Sequence, residues 1–252
     1  YALLCIGDTR HVRPESAARR SLLADLGAVL GDAGFLKVLF LGIVGKFVFA
    51  GIAMFAVPLI LNQRGYAKED IGQIMMLYAL TILATTVVAA RLADRLRGAG
   101  PVLAAGSLIS GVGILLLGLV TGTGTAPGFL AGAALARTIA LLDSTPVPQL
   151  ATLLILAGVV IIGVSQGMLA APAISYVAET RVAQRRGRPG VVAIYRLLER
   201  IGHICGPVVV GAVLAAMGGN PLAIGLFGLV AIAAALIFAL VGRGGEAAPA
   251  SP

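Results

Sequence analysis

Six continuous apolar stretches, at roughly 36–61, 71–90, 101–121, 150–172, 191–216 and 221–241, constrain this chain more than any motif in it. Each reaches the ~20 residues that cross ~30 Å of hydrocarbon at ~1.5 Å per residue. The runs do not alternate apolar with polar, so they do not read as strands. In lipid, a backbone satisfies its own polar groups only as a helix or a closed barrel, and these runs therefore predict helices. Composition agrees: 12% of the 252 residues are charged and the mean hydropathy is +1.00, against ~25% charged residues in a soluble domain. The 34 glycines fit helices that approach closely in a bilayer. The predicted class is an all-α integral membrane protein with six transmembrane helices.

Polar turns separate the runs. Asn62 to Asp70 forms one, with Asp70 expected as the cap of the second helix. Gly98-Ala99-Gly100-Pro101 places proline in the first turn of the third helix, and Gly218-Gly219-Asn220-Pro221 does the same for the sixth. Between 122 and 149 an apolar piece of 15 residues, Gly128–Leu142, contains Arg137 and is too short to span; it reads as a surface-lying or re-entrant helix.

Charge orients the chain. The two ends and the loops at 91–100 and 179–190 fall on one side, with 13 Lys/Arg: Arg10, Arg13, Arg19, Arg20, Lys37, Arg91, Arg95, Arg97, Arg181, Arg185, Arg186, Arg188 and Arg243. The other side holds three, Arg64, Lys68 and Arg137. The positive-inside rule makes the first side cytoplasmic, with both termini there, as for a bacterial plasma (inner) membrane protein. The net charge of +8 then reports topology and contact with anionic lipid, the bilayer being the first partner. A nucleic-acid partner would need a basic face on a soluble domain, and none is expected.

Three regions follow. Residues 1–34 lack the order of a signal peptide. They read as the end of a preceding helix (Tyr1–Gly7) and a cytoplasmic linker in which Ser21–Leu30 forms an amphipathic helix. Residues 35–242 form the bundle, and 243–252 a disordered cytoplasmic tail. The chain starts at Tyr1 and is expected to be the second half of a longer protein. Cys5 and Cys205 show no metal or redox spacing and read as buried small hydrophobes. No cofactor, metal site or catalytic set is expected; Gly111-Val112-Gly113 is not completed to G-x-G-x-x-G.

The loop Ala90-Arg91-Leu92-Ala93-Asp94-Arg95-Leu96-Arg97-Gly98 resembles the G-x-x-x-D-R-x-G-R-R signature between the second and third helices of a major facilitator superfamily half. The Asp-Arg pair matches; Ala90 replaces the first glycine, and the later Gly and Arg are displaced. The resemblance covers residues 1–242. It implies a major-facilitator-type half bundle, a second, N-terminal six-helix half, a small-molecule substrate and a gating-loop role for Asp94 and Arg95. It also implies that the first and fourth helices line a central cavity while the third and sixth face lipid. Polarity follows that order. The first run carries Lys46, the fourth Ser165, Gln166 and, at its end, Ser175 and Tyr176, while Pro221–Val241 has no polar side chain.

The fifth run is the most unusual, Tyr195-Arg196-Leu197-Leu198-Glu199-Arg200-Ile201-Gly202-His203. At ~100° per residue, Arg196, Glu199, Arg200 and His203 share an arc of ~100°. Ionisable groups at that depth are costly, face the bundle interior and pair with one another. Glu199 can reach Arg196 three residues back and His203 four residues on. A structural ion-pair cluster and a coupling or substrate role both fit. Histidine, whose ordinary pKa is nearest neutrality, suits proton coupling. Lys46, Arg196 and Arg200 against Glu199 leave the lining positive, which favours an anionic solute. The candidate pathway is Lys46, Gln166, Tyr176, Arg196, Glu199, Arg200 and His203.

Two other classes share part of the pattern. Gly163-Val164-Ser165-Gln166-Gly167 matches the G-x-S-x-G nucleophile pattern, and with Gly202-His203 it is similar to a rhomboid-type intramembrane protease. Against that, the soluble elbow requires a strand–turn–helix, and rhomboids place glycine directly after the serine and histidine on the sixth helix. A transporter-like sensor domain fused to signalling modules would show the same helices as a secondary transporter.

Overall fold

The computed structural model describes residues 22–96, 98–122, 148–220 and 222–243. The expected early helix end (Tyr1–Gly7), the re-entrant segment with Arg137, Cys5 and the tail beyond Arg243 lie outside these residues. Among them every regular element is helical. A short helix α1 (Leu22–Leu30) precedes the first span α2 (Ala33–Gln63), the second α3 (Lys68–Arg95), the third α4 (Gly100–Gly122) and the fourth α5 (Pro148–Glu179). After α6 (Arg181–Arg186), the fifth span is made of α7 (Arg188–Leu198) and α8 (Arg200–Ala216), and the sixth is α9 (Leu222–Arg243). Among the described residues, six helices are thus long and apolar enough to cross a membrane.

Local chemistry sets several ends. Asp32 caps α2, its Oδ1 accepting from the Phe35 N–H at 2.8 Å. Asp70 is not a cap, contrary to expectation. α3 starts earlier, at Lys68 after Ala67, so Asp70 sits with Glu69 inside the first turn, where its charge still meets the positive helix end. Gly65, Gly187, Gly218 and Gly219 supply left-handed turns, with φ of 82°, 103°, 64° and 77°.

The fourth span is the hub, packing on the second, the third and the first. The third also packs on the sixth, and the fifth lies along the first. Without a hydrophobic drive between helices in lipid, close backbone approach holds such contacts together. Gly163 and Gly167 of α5 receive Thr81 and Thr85 of α3; a Cβ on Gly167 would stand 2.7 Å from the Thr85 Cβ. Gly111 and Gly118 of α4 face Gly228 and Gly225 of α9, and the buried Ser107 hydroxyl donates to the Ala231 carbonyl at 3.4 Å. Between the first and fifth spans, Gly51 faces Gly206, and Gly202 lies against the backbone of Ile43 and Phe47.

Two spans are irregular. In α2 the stretch Val48–Ala56 is a π-helix, ending where the Val57 N–H bonds to the Ile52 carbonyl five residues back. Pro58 follows, has no N–H to continue the ladder, and so favours a changed register just before it. The fifth span breaks at Glu199, between α7 and α8.

Burial is uneven. About half of the apolar window is inside the bundle in the first, third and fourth spans (50%, 56% and 56%), but only 11% in the second and 28% in the fifth. Those two spans present Met76, Leu80 and Leu83, and Leu197, Ile204 and Val208, outward. Beside α7, α1 is tied to α6 by an ion pair, Arg186 Nη1 to Asp25 Oδ1 at 2.8 Å.

Candidate functional site

Three spans bring polar groups to one depth. Lys46 is 13 residues from the start of α2, Gln166 is 13 from the end of α5, and Glu199 is 11 from the start of α7. At ~1.5 Å per residue each lies roughly 17–20 Å from the same, Arg-rich end, near mid-bilayer. A small cavity of about 30 Å³ opens there between the three spans, lined by Lys46, Gln166, Tyr195, Arg196 and Glu199 together with Gly42, Gly45 and Leu169.

Glu199 is the charged residue most deeply placed in it, with 7% of its side chain exposed, and its Oε1 accepts from Arg196 Nη1 at 2.8 Å. Arg196 is 46% exposed, so the pair runs from the interior to the rim. A buried carboxylate is tolerated when paired and bonded, and this geometry supplies both. Lys46 forms no ion pair among the described residues; its ammonium sits 6.0 Å from the Phe49 ring centroid. The two cations and one carboxylate leave the cavity with one positive charge.

Two buried groups here lack hydrogen-bond partners: Gln166 Nε2 and Tyr195 Oη. The Tyr195 hydroxyl lies near the Glu199 carboxylate but is not aligned to donate to it. It enters the space above Gly42, where any Cβ would collide with it.

The remaining candidates from the sequence lie elsewhere. His203 packs its ring edge-on against Phe49, centroids 5.4 Å apart, and its buried Nδ1 has no partner. Phe49 in turn meets Tyr78 of the second span at 6.3 Å. Arg200 is exposed. Tyr176 lines a separate, wider cleft at the Arg-rich end, with Lys37, Arg181 and Phe238. Asp94 and Arg95 are exposed in the last turn of α3. Tyr195, Gly42 and Phe49 escaped the sequence reading. Tyr195 could have been found by its place one helical turn before Glu199; Gly42 carries no such signal.

The G-x-S-x-G pattern has another explanation. Gly163 and Gly167 are the faces that meet Thr81 and Thr85, and the Ser165 hydroxyl donates to the Ile162 carbonyl of its own helix at 2.7 Å. The segment lies within the continuous helix α5, with no strand–turn–helix around the serine.

Among curated proteins no sequence matches the chain. The family model described as Major Facilitator Superfamily matches residues 39–251, from the first span onward. With that match over most of its length, and six apolar helices arranged as a half bundle, the chain is an integral membrane protein with a transporter's fold and belongs to the major facilitator superfamily.

Proposed function

We propose that the chain is the C-terminal half of a secondary transporter that moves a small solute by alternating access, rocking against a second six-helix half. The mid-depth cavity carries this reading. A buried Glu199, a Lys46 without an ion-pair partner among the described residues and a Gln166 whose Nε2 lacks an acceptor, drawn from three spans, form an expensive arrangement at the centre of a bilayer. Such midplane sites between repeats are where solutes bind in alternating-access proteins. The outward apolar faces of the second and fifth spans suit the second half, which would close the solute pathway over the cavity. The positive charge excess there favours an anionic solute. Proton coupling through Glu199 and His203 fits their spacing of four residues along the fifth span. The Lys/Arg bias supports an orientation with both termini cytoplasmic, as in a bacterial plasma membrane.

The test is uptake into cells or proteoliposomes. Residues 1–252 alone should insert without transporting, and co-expression with the second half should restore accumulation. Robust uptake by this chain as a monomer would overturn the half-transporter reading.

A further inference from the structure

The donors and charges of the mid-depth cavity specify what kind of group it receives. Gln166 and Tyr195 are 7% and 1% exposed, both line the same small space, and each has a buried polar atom without a partner, Nε2 and Oη. Lys46 adds an ammonium that forms no ion pair among the described residues and sits 6.0 Å from the Phe49 ring centroid. Buried donors left dry are costly, so the missing component is an acceptor. One acceptor of the lining, the Glu199 carboxylate, already receives a hydrogen bond from Arg196 on Oε1.

Resting on the transporter reading above, we propose that the cavity binds one monovalent carboxylate group of the transported solute. Lys46 supplies the charge, and Gln166 Nε2 and Tyr195 Oη donate the hydrogen bonds. Charge limits the choice. The cavity has one positive charge in excess, which a monocarboxylate neutralises, whereas a divalent phosphate or sulfate would leave a negative excess buried beside Glu199. Space limits it further. The cavity is small, about 30 Å³. Only a small planar head group enters, and the rest of the solute stays toward the rim marked by the half-exposed Arg196. Gly42 is the positioning residue, since a side chain there would displace the Tyr195 hydroxyl.

The experiment is calorimetric titration of the chain in lipid nanodiscs with acetate, its neutral isostere acetamide, and sulfate. Acetate should bind saturably, and acetamide and sulfate should give no comparable signal. Lys46→Met should raise the half-saturating acetate concentration about tenfold or more, the scale of a lost charged hydrogen bond. Gln166→Met and Tyr195→Phe, which keep volume, should each raise it roughly three- to tenfold, and Gly42→Ala should mimic Tyr195→Phe. The exposed control Arg185→Gln should leave it unchanged. Circular dichroism checks folding, and if Lys46→Met does not fold, the two volume-preserving variants decide. No saturable heat with acetate, as from a cavity holding water only, overturns the proposal. So does equal binding of sulfate, or unchanged binding in all folded cavity variants. Uptake that needs the second half, with no carboxylate binding, would refute this inference and leave the transporter reading standing. Carboxylate binding without any uptake would support the site and count against transport.

Discussion

Gly202→Ala should loosen the first and fifth spans from each other. A Cβ at position 202 would collide with the Ile43 carbonyl oxygen and stand 2.9 Å from the Phe47 nitrogen, both backbone atoms of α2 that no rotamer change can move. Restoring ordinary contact means separating the spans by roughly 0.5–1 Å, a gap that forfeits about a quarter to a half of each dispersion well along the seam. Overpacking of this kind costs about 1–3 kcal/mol, and a rigid backbone obstacle belongs at the upper end. For a chain of this size ~3 kcal/mol corresponds to roughly 6–12 °C in melting temperature. Two other glycines grade the effect. At Gly211, also in α8, the nearest atoms to a Cβ are Phe55 ring carbons at 3.5 Å, ordinary contact, and at Gly72 nothing lies within 4 Å. Alanine there should be neutral or stabilise by up to ~1 kcal/mol through helix propensity. Thermal melts by circular dichroism in one lipid-detergent mixture compare all three. Gly202→Ala melting with Gly72→Ala, or Gly211→Ala falling as far as Gly202→Ala, would refute the steric reasoning.

Topology is testable with single cysteines in a background lacking Cys5 and Cys205. Gly65 and Gly187 are left-handed, so the exposed neighbours Gln63 and Gln184 are the better sites; they should label from opposite sides, and equal labelling by an impermeant reagent from outside would overturn the six-span arrangement. In the whole transporter, Glu199→Gln should abolish pH-driven accumulation and leave energy-independent exchange largely intact. Loss of folding or of both activities would assign Glu199 a structural role, and unchanged accumulation in both Glu199→Gln and His203→Ala would exclude the relay. Asp25→Asn should cost less than ~1 kcal/mol, because its partner Arg186 is 35% exposed and Asp25 itself 28%; a larger loss of unfolding free energy would show a latch stronger than a surface ion pair.

The number and placement of the spans were legible because a helix in lipid must be long and apolar throughout, and that requirement is written residue by residue. The ends were less so. Lys68, Glu69 and Asp70 look like loop, yet a helix may run past the hydrocarbon and keep its first turn charged, which is why α3 starts before Asp70. At the site, Lys46, Gln166, Arg196 and Glu199 could be picked out by cost alone, since polar groups inside an apolar run demand a reason. Their convergence could not, because hydropathy carries no rotational phase between separate helices. Arg200 shows the limit within one helix. The arc placed it beside Glu199, yet Glu199 is buried and Arg200 exposed, because neighbouring residues stand ~100° apart around a helix. Glycine spacing was the better guide to packing. G-x-x-x-G at 163–167 and at 202–206 marks two of the three tight seams.

The irregular backbone adds weight that side chains alone do not. A transmembrane helix has no water with which to satisfy N–H and C=O groups freed by a register change, so non-helical backbone at that depth persists only where protein or a cavity covers it. Here the π stretch Val48–Ala56 starts two residues after Lys46, and the break in the fifth span falls on Glu199 itself. The π stretch packs on the fifth span through Gly51 and Gly206, with Gly202 pressed on the turn between Ile43 and Phe47. Both irregular stretches therefore lie beside the cavity that gathers polar side chains from three spans. A purely structural ion pair needs only Arg196 and Glu199, three residues apart on one helix. It gives no reason for Lys46, for the unpartnered Gln166 and Tyr195, or for a second interruption across the seam; a solute pathway gives a reason for each.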